Sequence, residues 1–495
     1  MIETIRKART HADKISVLEN GKRHTYRTVI SRAEKIAALL LGERKDLEED
    51  RVSFMVTPGV DYVATLWGIW QAGGVAVPLC LSHPPPSLKY VLEDAGSQAV
   101  IASAEFEKLL SPLCRERGAQ LIVLHPDLNT KEITLPHVAS ERRALILYTS
   151  GTTNLPKGVV TTHRNLEVQI TTLVNAWGWS DRDHILCVLP LHHVHGIINV
   201  VSCSLWAGAC CEFMPDFSAN AVLEIFQRGE INVFMAVPTI YFKLIAAWEG
   251  LPPPMQLSAG KAMSEFRLMV SGSAALPVSV MNKWENITGQ RLLERYGMTE
   301  LGMAISNPYQ GERRAGFVGL PLRGVSVRLC DEDDQQVEGE PGEIQVRGEN
   351  VFLEYWRQPD VTEKSFTKDG WFKTGDIGTI ENGYYRILGR NSVDIIKSGG
   401  YKISALEIEE VLRTHPMVGD CAVVGLEDEE WGEVVAAVLV LRKEAVGGLS
   451  EVEVRTWLKE RLPAYRVPKK FLMVDDLPRN AMEKVTKNEV KKLFV

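Results

Sequence analysis

The segment Ala144-Leu145-Ile146-Leu147-Tyr148-Thr149-Ser150-Gly151-Thr152-Thr153-Asn154-Leu155-Pro156-Lys157-Gly158 runs from a buried-type β-strand straight into a loop of hydroxyls and glycines. Hydroxyl side chains and approachable backbone N–H groups are the composition of a phosphate cradle. The loop is not a Walker A motif: Pro156 stands where that motif needs glycine, and Gly158 where it needs Ser or Thr. The residues that follow, Val159-Val160-Thr161-Thr162-His163, are β-branched and do not open a helix. The sequence therefore predicts a strand–loop–strand phosphate grip. Gly-Thr-Thr alone reads as a polar surface turn, and the apolar strand feeding the loop weighs against that reading.

Outward from this loop, short β-rich runs alternate with helical stretches. Residues 62–74, YVATLWGIWQAGG, read as a helix, and Val75-Ala76-Val77-Pro78 as a short strand closed by proline, which cannot donate to a ladder. Residues 184–190, 209–214, 232–238 and 266–272 are further buried-strand runs, with helical patterns between several of them. Continuous apolar strands interleaved with helices predict an α/β fold of stacked, mostly parallel sheets covered on both faces. From about Gly324 the rhythm changes to short strands separated by Asp, Glu and Gly, which predicts a small antiparallel β subdomain. A second change follows Gly389-Arg390-Asn391-Ser392. Beyond it, residues 405–415 and 451–462 read as helices, and 420–426, 434–442 and 471–477 as strands, a compact α+β unit. The expected organisation is an N-terminal domain over 1–391 and a smaller C-terminal domain over 392–495.

Composition narrows the function classes. Of 495 residues, 45% are hydrophobic and 24% charged, ordinary globular proportions that exclude disorder and coiled coil. The formal net charge of −7, from 56 Lys+Arg against 63 Asp+Glu, carries no basic footprint for nucleic acid or an anionic membrane. Eight cysteines without a CxxC read as buried, reduced thiols. The opening MIETIRKARTHADKISVLENG has acidic residues and no apolar run, unlike a signal or transit peptide. The apolar stretch from Val60 to Val77 is broken by Gly68, Gln71, Gly73 and Gly74, too interrupted to span a bilayer. A cytoplasmic enzyme without a membrane or nucleic-acid partner is the expectation.

Three further strings carry chemistry. Arg295-Tyr296-Gly297-Met298-Thr299-Glu300 offers an aromatic ring for a purine, a hydroxyl for a phosphate and a carboxylate for Mg²⁺. Lys373-Thr374-Gly375-Asp376, with Gly389-Arg390 downstream, offers a carboxylate and a guanidinium for a ribose and its phosphate. Pro478-Arg479-Asn480-Ala481-Met482-Glu483-Lys484 places a lysine in a C-terminal loop. Each alone has a plain reading as a strand end, a surface ion pair or a solvated lysine.

Their order is the stronger signal. YTSGTT..PKG, YGMTE, TGD, GR and PRN...K, in that order across essentially the whole chain, resemble the adenylate-forming superfamily of acyl-CoA synthetases, luciferases and peptide-synthetase adenylation domains. Within it the chain is most similar to the malonyl-CoA synthetases, through LPLHHVHG, INVFMAVPTIY, LMVSGSAALP and LLERYGMTELGMAISNP. The resemblance implies a two-step reaction. A carboxylate attacks the α-phosphate of ATP to give acyl-AMP and pyrophosphate, and the CoA thiol then attacks the acyl carbon. Thr149, Ser150, Gly151, Thr152, Thr153 and Lys157 would hold the β- and γ-phosphates. Thr299 would contact the α-phosphate and Glu300 would ligate Mg²⁺. Tyr296 and Gly297, with backbone from Ser271, Gly272 and Ser273, would line the adenine pocket, and Asp376 and Arg390 would hold the ribose. Lys484 would bridge the carboxylate and α-phosphate. Rotation of the C-terminal domain about Ser392 would then withdraw Lys484 and bring Gly399, Gly400 and Lys402 to the pantetheine arm. His193 would lie at the acyl pocket with His195 beside it.

The chain departs from the pattern twice, with Asn154 and Glu483 where such families usually carry glycine. Asn tolerates a left-handed backbone, whereas Glu483 sets a carboxylate beside Lys484. His192, His193 and His195 invite a zinc reading, but no second ligand cluster of suitable spacing accompanies them. Arg295 stands where relatives for uncharged acids have a small residue. Adjacent residues of an extended strand face opposite ways, so Glu294 is a poor partner for it. Arg295 is therefore expected to grip the second carboxylate of a short dicarboxylic acid such as malonate or methylmalonate, with Lys243 a weaker second cation. Three alternatives stay open at this point: another short or medium-chain acid, acyl loading onto a carrier protein, and a weakened nucleotide- or acyl-binding homologue.

Overall fold

The computed structural model describes residues 2–128, 130–131, 133–149, 155–442, 448–479 and 484–494. Strand Arg143–Thr149 pairs antiparallel with Lys157–Thr162, Thr149 opposite Lys157, so the hydroxyl-rich loop joins the two arms of a hairpin. Residues 150–154 of that loop lie outside the described residues. The β-branched second arm stays extended to Thr162. There the Thr162 hydroxyl accepts from the Asn165 N–H and the Asn165 side chain returns the contact, a capping box that starts helix His163–Ala176.

Among the described residues the strands form four sheets. The hairpin belongs to a seven-stranded sheet in which Arg51–Met55, Val75–Pro78, Ala99–Ala102, Gln120–Val123 and Arg143–Thr149 run parallel. A nine-stranded sheet sets Cys210–Phe213, His184–Cys187, Val233–Ala236, Leu268–Ser271 and Leu293–Met298 side by side in parallel, then turns antiparallel at Gly302–Ser306. Helix Val60–Gln71 is mostly apolar, with Asp61, Thr65 and Gln71 its polar exceptions, and all of it but Asp61 is buried in the core that both sheets share. This is the α/β architecture that the alternating runs predict.

The third sheet is antiparallel throughout: Ser326–Cys330, Gly342–Arg347, Phe372–Glu381 and Tyr384–Arg390. The chain then turns through residues 391–394 into the C-terminal sheet. Gly432–Leu441 forms its centre, with Val418–Asp428 antiparallel along one side and Lys470–Val474 parallel along the other. Alternate residues of Val418–Asp428 enter two separate cores, one covered by helices Ala405–Arg413 and Glu451–Lys459, the other by Lys487–Lys492. The C-terminal unit touches the rest through Glu410, whose carboxylate accepts from the Val278 N–H at 3.1 Å, and through Lys402, paired with Glu332 at 2.8 Å.

One element had no signal in the sequence. His195–Ser202 is a π-helix, a widened coil that follows directly on His192 and His193. Such segments are rare and gather at functional sites. The cysteines are free, all buried except the half-buried Cys210. No helix of the described residues is long and apolar enough to cross a membrane.

Candidate active site

Parallel strands Leu268–Ser271 and Leu293–Met298 bring Ser271 beside Glu294. Past Ser271 the chain bends sharply, with Ser273 held at φ +70°, a left-handed conformation unusual for serine. That bend puts the Ser273 hydroxyl 3.1 Å from His195 Nδ1 and 3.3 Å from Arg295 Nη2. Gly272 makes the approach feasible. A Cβ there would stand 2.5 Å from the Arg295 guanidinium carbon, so only glycine lets the cation lie against the backbone.

Strand alternation separates the next two charges. Glu294 accepts from the Leu276 N–H at 2.9 Å, while Arg295 is buried on the Ser273 and His195 side, its Nε unpartnered among the described residues. Burial pushes the Glu294 carboxyl up to about 8, so it is neutral at pH 7; burial pulls Arg295 down to about 9, where it remains a cation. The raised carboxyl binds its proton more tightly folded than unfolded. Its stabilisation is therefore complete below about pH 4.5 and lost as pH rises through about 8. Glu294→Gln, which cannot ionise, should flatten the fall in Tm across that window, measured by thermal melts at stepped pH.

Lys484 reaches the same chamber. Burial first, then Arg295 and Arg390, draws its ammonium down to about 8, and Asp376 opposes them. Burial also holds His193 neutral, with its pKa lowered to about 2, and depresses His195; Lys484 adds to both effects. Among the described residues, His193 Nε2 and His195 Nε2 are buried without partners. The pocket thus sets three cations against Asp376 and lines them with neutral imidazoles, an arrangement that favours an anionic ligand.

A second group of residues is gathered from four distant stretches, 149–157, 296–300, 354–355 and 376–390. The Tyr296 hydroxyl donates to Asp376 Oδ2 at 2.6 Å, and Arg390 Nε donates to Asp376 Oδ1 at 3.0 Å. Asp376 and Arg390 face each other across the third sheet's last two strands. Glu300 is buried in the turn after Leu293–Met298, where burial raises its pKa, and it accepts from the Tyr355 hydroxyl at 2.9 Å. Lys157 lies over the Tyr355 ring at 5.4 Å, and Thr149 and Thr299 are half-buried. A single buried carboxyl with hydroxyls around it fits Mg²⁺, which keeps waters and takes its other oxygens from phosphates.

Tyr355 was missed by the sequence reading. It joins Lys157 to Glu300 because Glu354–Tyr355 pairs with Val159 and Val160, a long-range match with no local motif. Ser273 was expected to serve the adenine pocket through its backbone; its side chain instead sits between Arg295 and His195. Lys243, expected as a second cation, is exposed: the helical period of Pro238–Glu249 turns it outward beside Phe242 while Tyr241 and Leu244 are buried. Gly399, Gly400 and Lys402 are exposed at a hairpin turn, so this conformation brings Lys484 and not that hairpin to the chamber. Ser150, Gly151, Thr152, Thr153, Asn154 and Glu483 lie outside the described residues.

The chain is similar to known proteins over its whole length. Profiles for AMP-binding enzymes and for the AMP-binding enzyme C-terminal domain match residues 5–356 and 407–484. A mitochondrial malonate–CoA ligase of Homo sapiens is 44% identical over 99% of this chain and 91% of its own length. A malonate–CoA ligase of Arabidopsis thaliana is 40% identical over 98% and 87%. The ATP-bound structure of MatB from Rhodopseudomonas palustris superposes with a TM-score of 0.91 at 33% identity, covering 100% of this chain and 99% of that one.

Proposed function

The chain belongs to the AMP-binding enzyme family, and from that standing we propose that it is an AMP-forming malonate–CoA ligase. The observation that carries the choice of acid is Arg295, a buried cation beside Ser273 and His195 whose Nε has no partner among the described residues, in the chamber that Lys484 also reaches. A guanidinium there takes the distal carboxylate of malonate in bidentate fashion. The reacting carboxylate is then directed at the α-phosphate of ATP. Lys484 spreads the negative charge that builds as the new acyl–phosphate bond forms and pyrophosphate leaves. Asp376, Arg390 and Tyr296 fix the nucleoside. Glu300 would hold the Mg²⁺ that shields the phosphates, and Lys157 and Thr149 support the phosphate tail. In the second step the CoA thiol attacks the acyl carbon and AMP departs. We assign that step to the orientation in which rotation about Ser392 brings Gly399, Gly400 and Lys402 inward.

ATP–pyrophosphate exchange across malonate, methylmalonate, acetate and octanoate tests the reading: malonate or methylmalonate should lead, and octanoate exceeding both would overturn it. A thioester formed with a carrier protein but not with CoA would overturn the acceptor. Adenylation needs charged Lys484, so the exchange rate should fall as pH rises through about 8 rather than near 10.5. A rate flat to pH 10 would remove Lys484 from the charge-bearing role. For the compartment, the cytoplasmic reading stands as a proposal beside relatives whose names say mitochondrial, and cell fractionation decides it.

A further inference from the structure

Three residues beyond Lys484, Lys487 opens the last helix as a buried lysine, and its surroundings are made of charge. Its ammonium lies 2.6 Å from Asp394 Oδ1 and 2.8 Å from Glu409 Oε1. Burial alone would draw its pKa down; the two carboxylates outweigh it and hold the group above the ordinary lysine value.

Each carboxylate is committed elsewhere as well. Glu409 Oε1 accepts from the Val423 N–H at 2.8 Å, and Glu409 Oε2 faces Arg413 at 3.3 Å, which ties it to strand Val418–Asp428 of the C-terminal sheet. Asp394 Oδ2 accepts from the Arg390 N–H at 3.0 Å, on the other side of Ser392. The Arg390 side chain in turn grips Asp376. Gly389 leaves room for this carboxylate: at its φ of +129° a Cβ would stand 2.4 Å from Asp394 Cβ. The segment that carries Lys484 is itself closed at its base, by the bridge between Arg479 and Val485 and by the Thr486 N–H donating to Pro478 at 2.8 Å. Arg479 is paired with Asp420 on strand Val418–Asp428. One ion pair therefore anchors the incoming limb of the Lys484 loop to the sheet. Lys487 anchors the outgoing limb to the sheet and to the turn at Ser392.

We propose that Lys487 is a positioning residue for adenylation: clamped between Asp394 and Glu409, it fixes the Lys484 loop relative to the Arg390–Asp376 ribose grip, although it touches no substrate. The inference rests on the adenylating role of Lys484. A loop released at one limb would misplace the Lys484 ammonium, and misplacement by an ångström costs about a hundredfold in rate. The second half-reaction uses another face of the same unit and does not need Lys484 in place.

The test measures the two half-reactions separately in Lys487→Met and Lys487→Arg. In Lys487→Met, ATP–pyrophosphate exchange should drop about a hundredfold in kcat, with KM for malonate and the conversion of supplied malonyl-AMP to thioester within about threefold of wild type. Lys487→Arg, which can keep both ion pairs, should restore most of the exchange. Equal loss of both half-reactions would reduce Lys487 to a folding role, and undiminished exchange would remove it from adenylation; either overturns the proposal. Because removing the lysine strips a cation from both carboxylates and leaves Glu409 only its Arg413 pair, Asp394→Asn is the second variant. It keeps the Glu409 pair, and it should still lower exchange selectively; an unchanged exchange rate there also overturns the clamp. Wild-type exchange with malonate checks the ligase reading by itself, so failure of that reading is seen independently of the variants.

Discussion

Replacing Arg295 with alanine should lower kcat/KM for malonate at least about a hundredfold, while the rates with acetate and other uncharged short acids fall far less or rise. The asymmetry follows from what the arginine faces. With malonate bound, the guanidinium pairs with the distal carboxylate inside a buried pocket, and removing one partner of such a pair costs about 3–5 kcal/mol because the other charge is left uncompensated. A hundredfold loss corresponds to about 2.7 kcal/mol, the lower edge of that range. With acetate the same cation faces a methyl group and gains nothing to offset its desolvation. Steady-state kinetics of wild type and Arg295→Ala on both acids decides the matter. An equal loss on malonate and acetate would mean that Arg295 supports the fold of the pocket and does not select the acid.

Lys484→Ala should abolish acyl-AMP formation yet leave the enzyme able to convert supplied malonyl-AMP to malonyl-CoA. In the present conformation Lys484 is half-buried where Arg295, Arg390 and Asp376 all act on it, whereas Gly399 and Gly400 are exposed. If the two half-reactions use different faces of the C-terminal unit, they separate genetically. Removing charge stabilisation at the reacting phosphate costs about two to three orders of magnitude in kcat for a single lost donor, so exchange should drop at least that far. Loss of thioester formation to the same degree would contradict a rotating unit. Glu483, beside this lysine, is the natural companion test: Glu483→Gly should maintain or raise the adenylation rate.

How much of this was legible follows from the range of the contacts. The sheets were readable because continuous apolar runs and the glycine- and proline-bounded turns are local, and the hairpin around the hydroxyl-rich loop followed from the β-branched Val159-Val160-Thr161-Thr162. The opposite facing of Glu294 and Arg295 was likewise a strand-period argument, and the structure keeps them apart. What stayed hidden depends on partners far off in the chain. Tyr355 acquires its place from a two-residue pairing with Val159 and Val160, and Lys487 from Asp394 and Glu409. Ser273 took an unforeseen place because its left-handed backbone redirects the side chain, and nothing in Ser-Gly-Ser announces that angle. Lys243 failed as a second cation because it was read from the end of a strand, while the structure puts it on the outer face of a helix.

The close fit of Gly272 to Arg295 has a consequence for how such an enzyme drifts over evolutionary time. The guanidinium fills space that a single methyl group at position 272 would claim. Acid preference is thus held at two codons at once. A change of Arg295 to a small residue empties a hollow bounded by Gly272, Ser273 and His195, which removes the charge and lengthens the slot in one event. A change of Gly272 reaches a similar end by crowding the arginine out of place. Descent from a dicarboxylate enzyme to one for longer neutral chains is then a single mutational step by either route. Once both positions have changed, the return journey demands both residues together, which makes dicarboxylate recognition on this scaffold easier to lose than to regain.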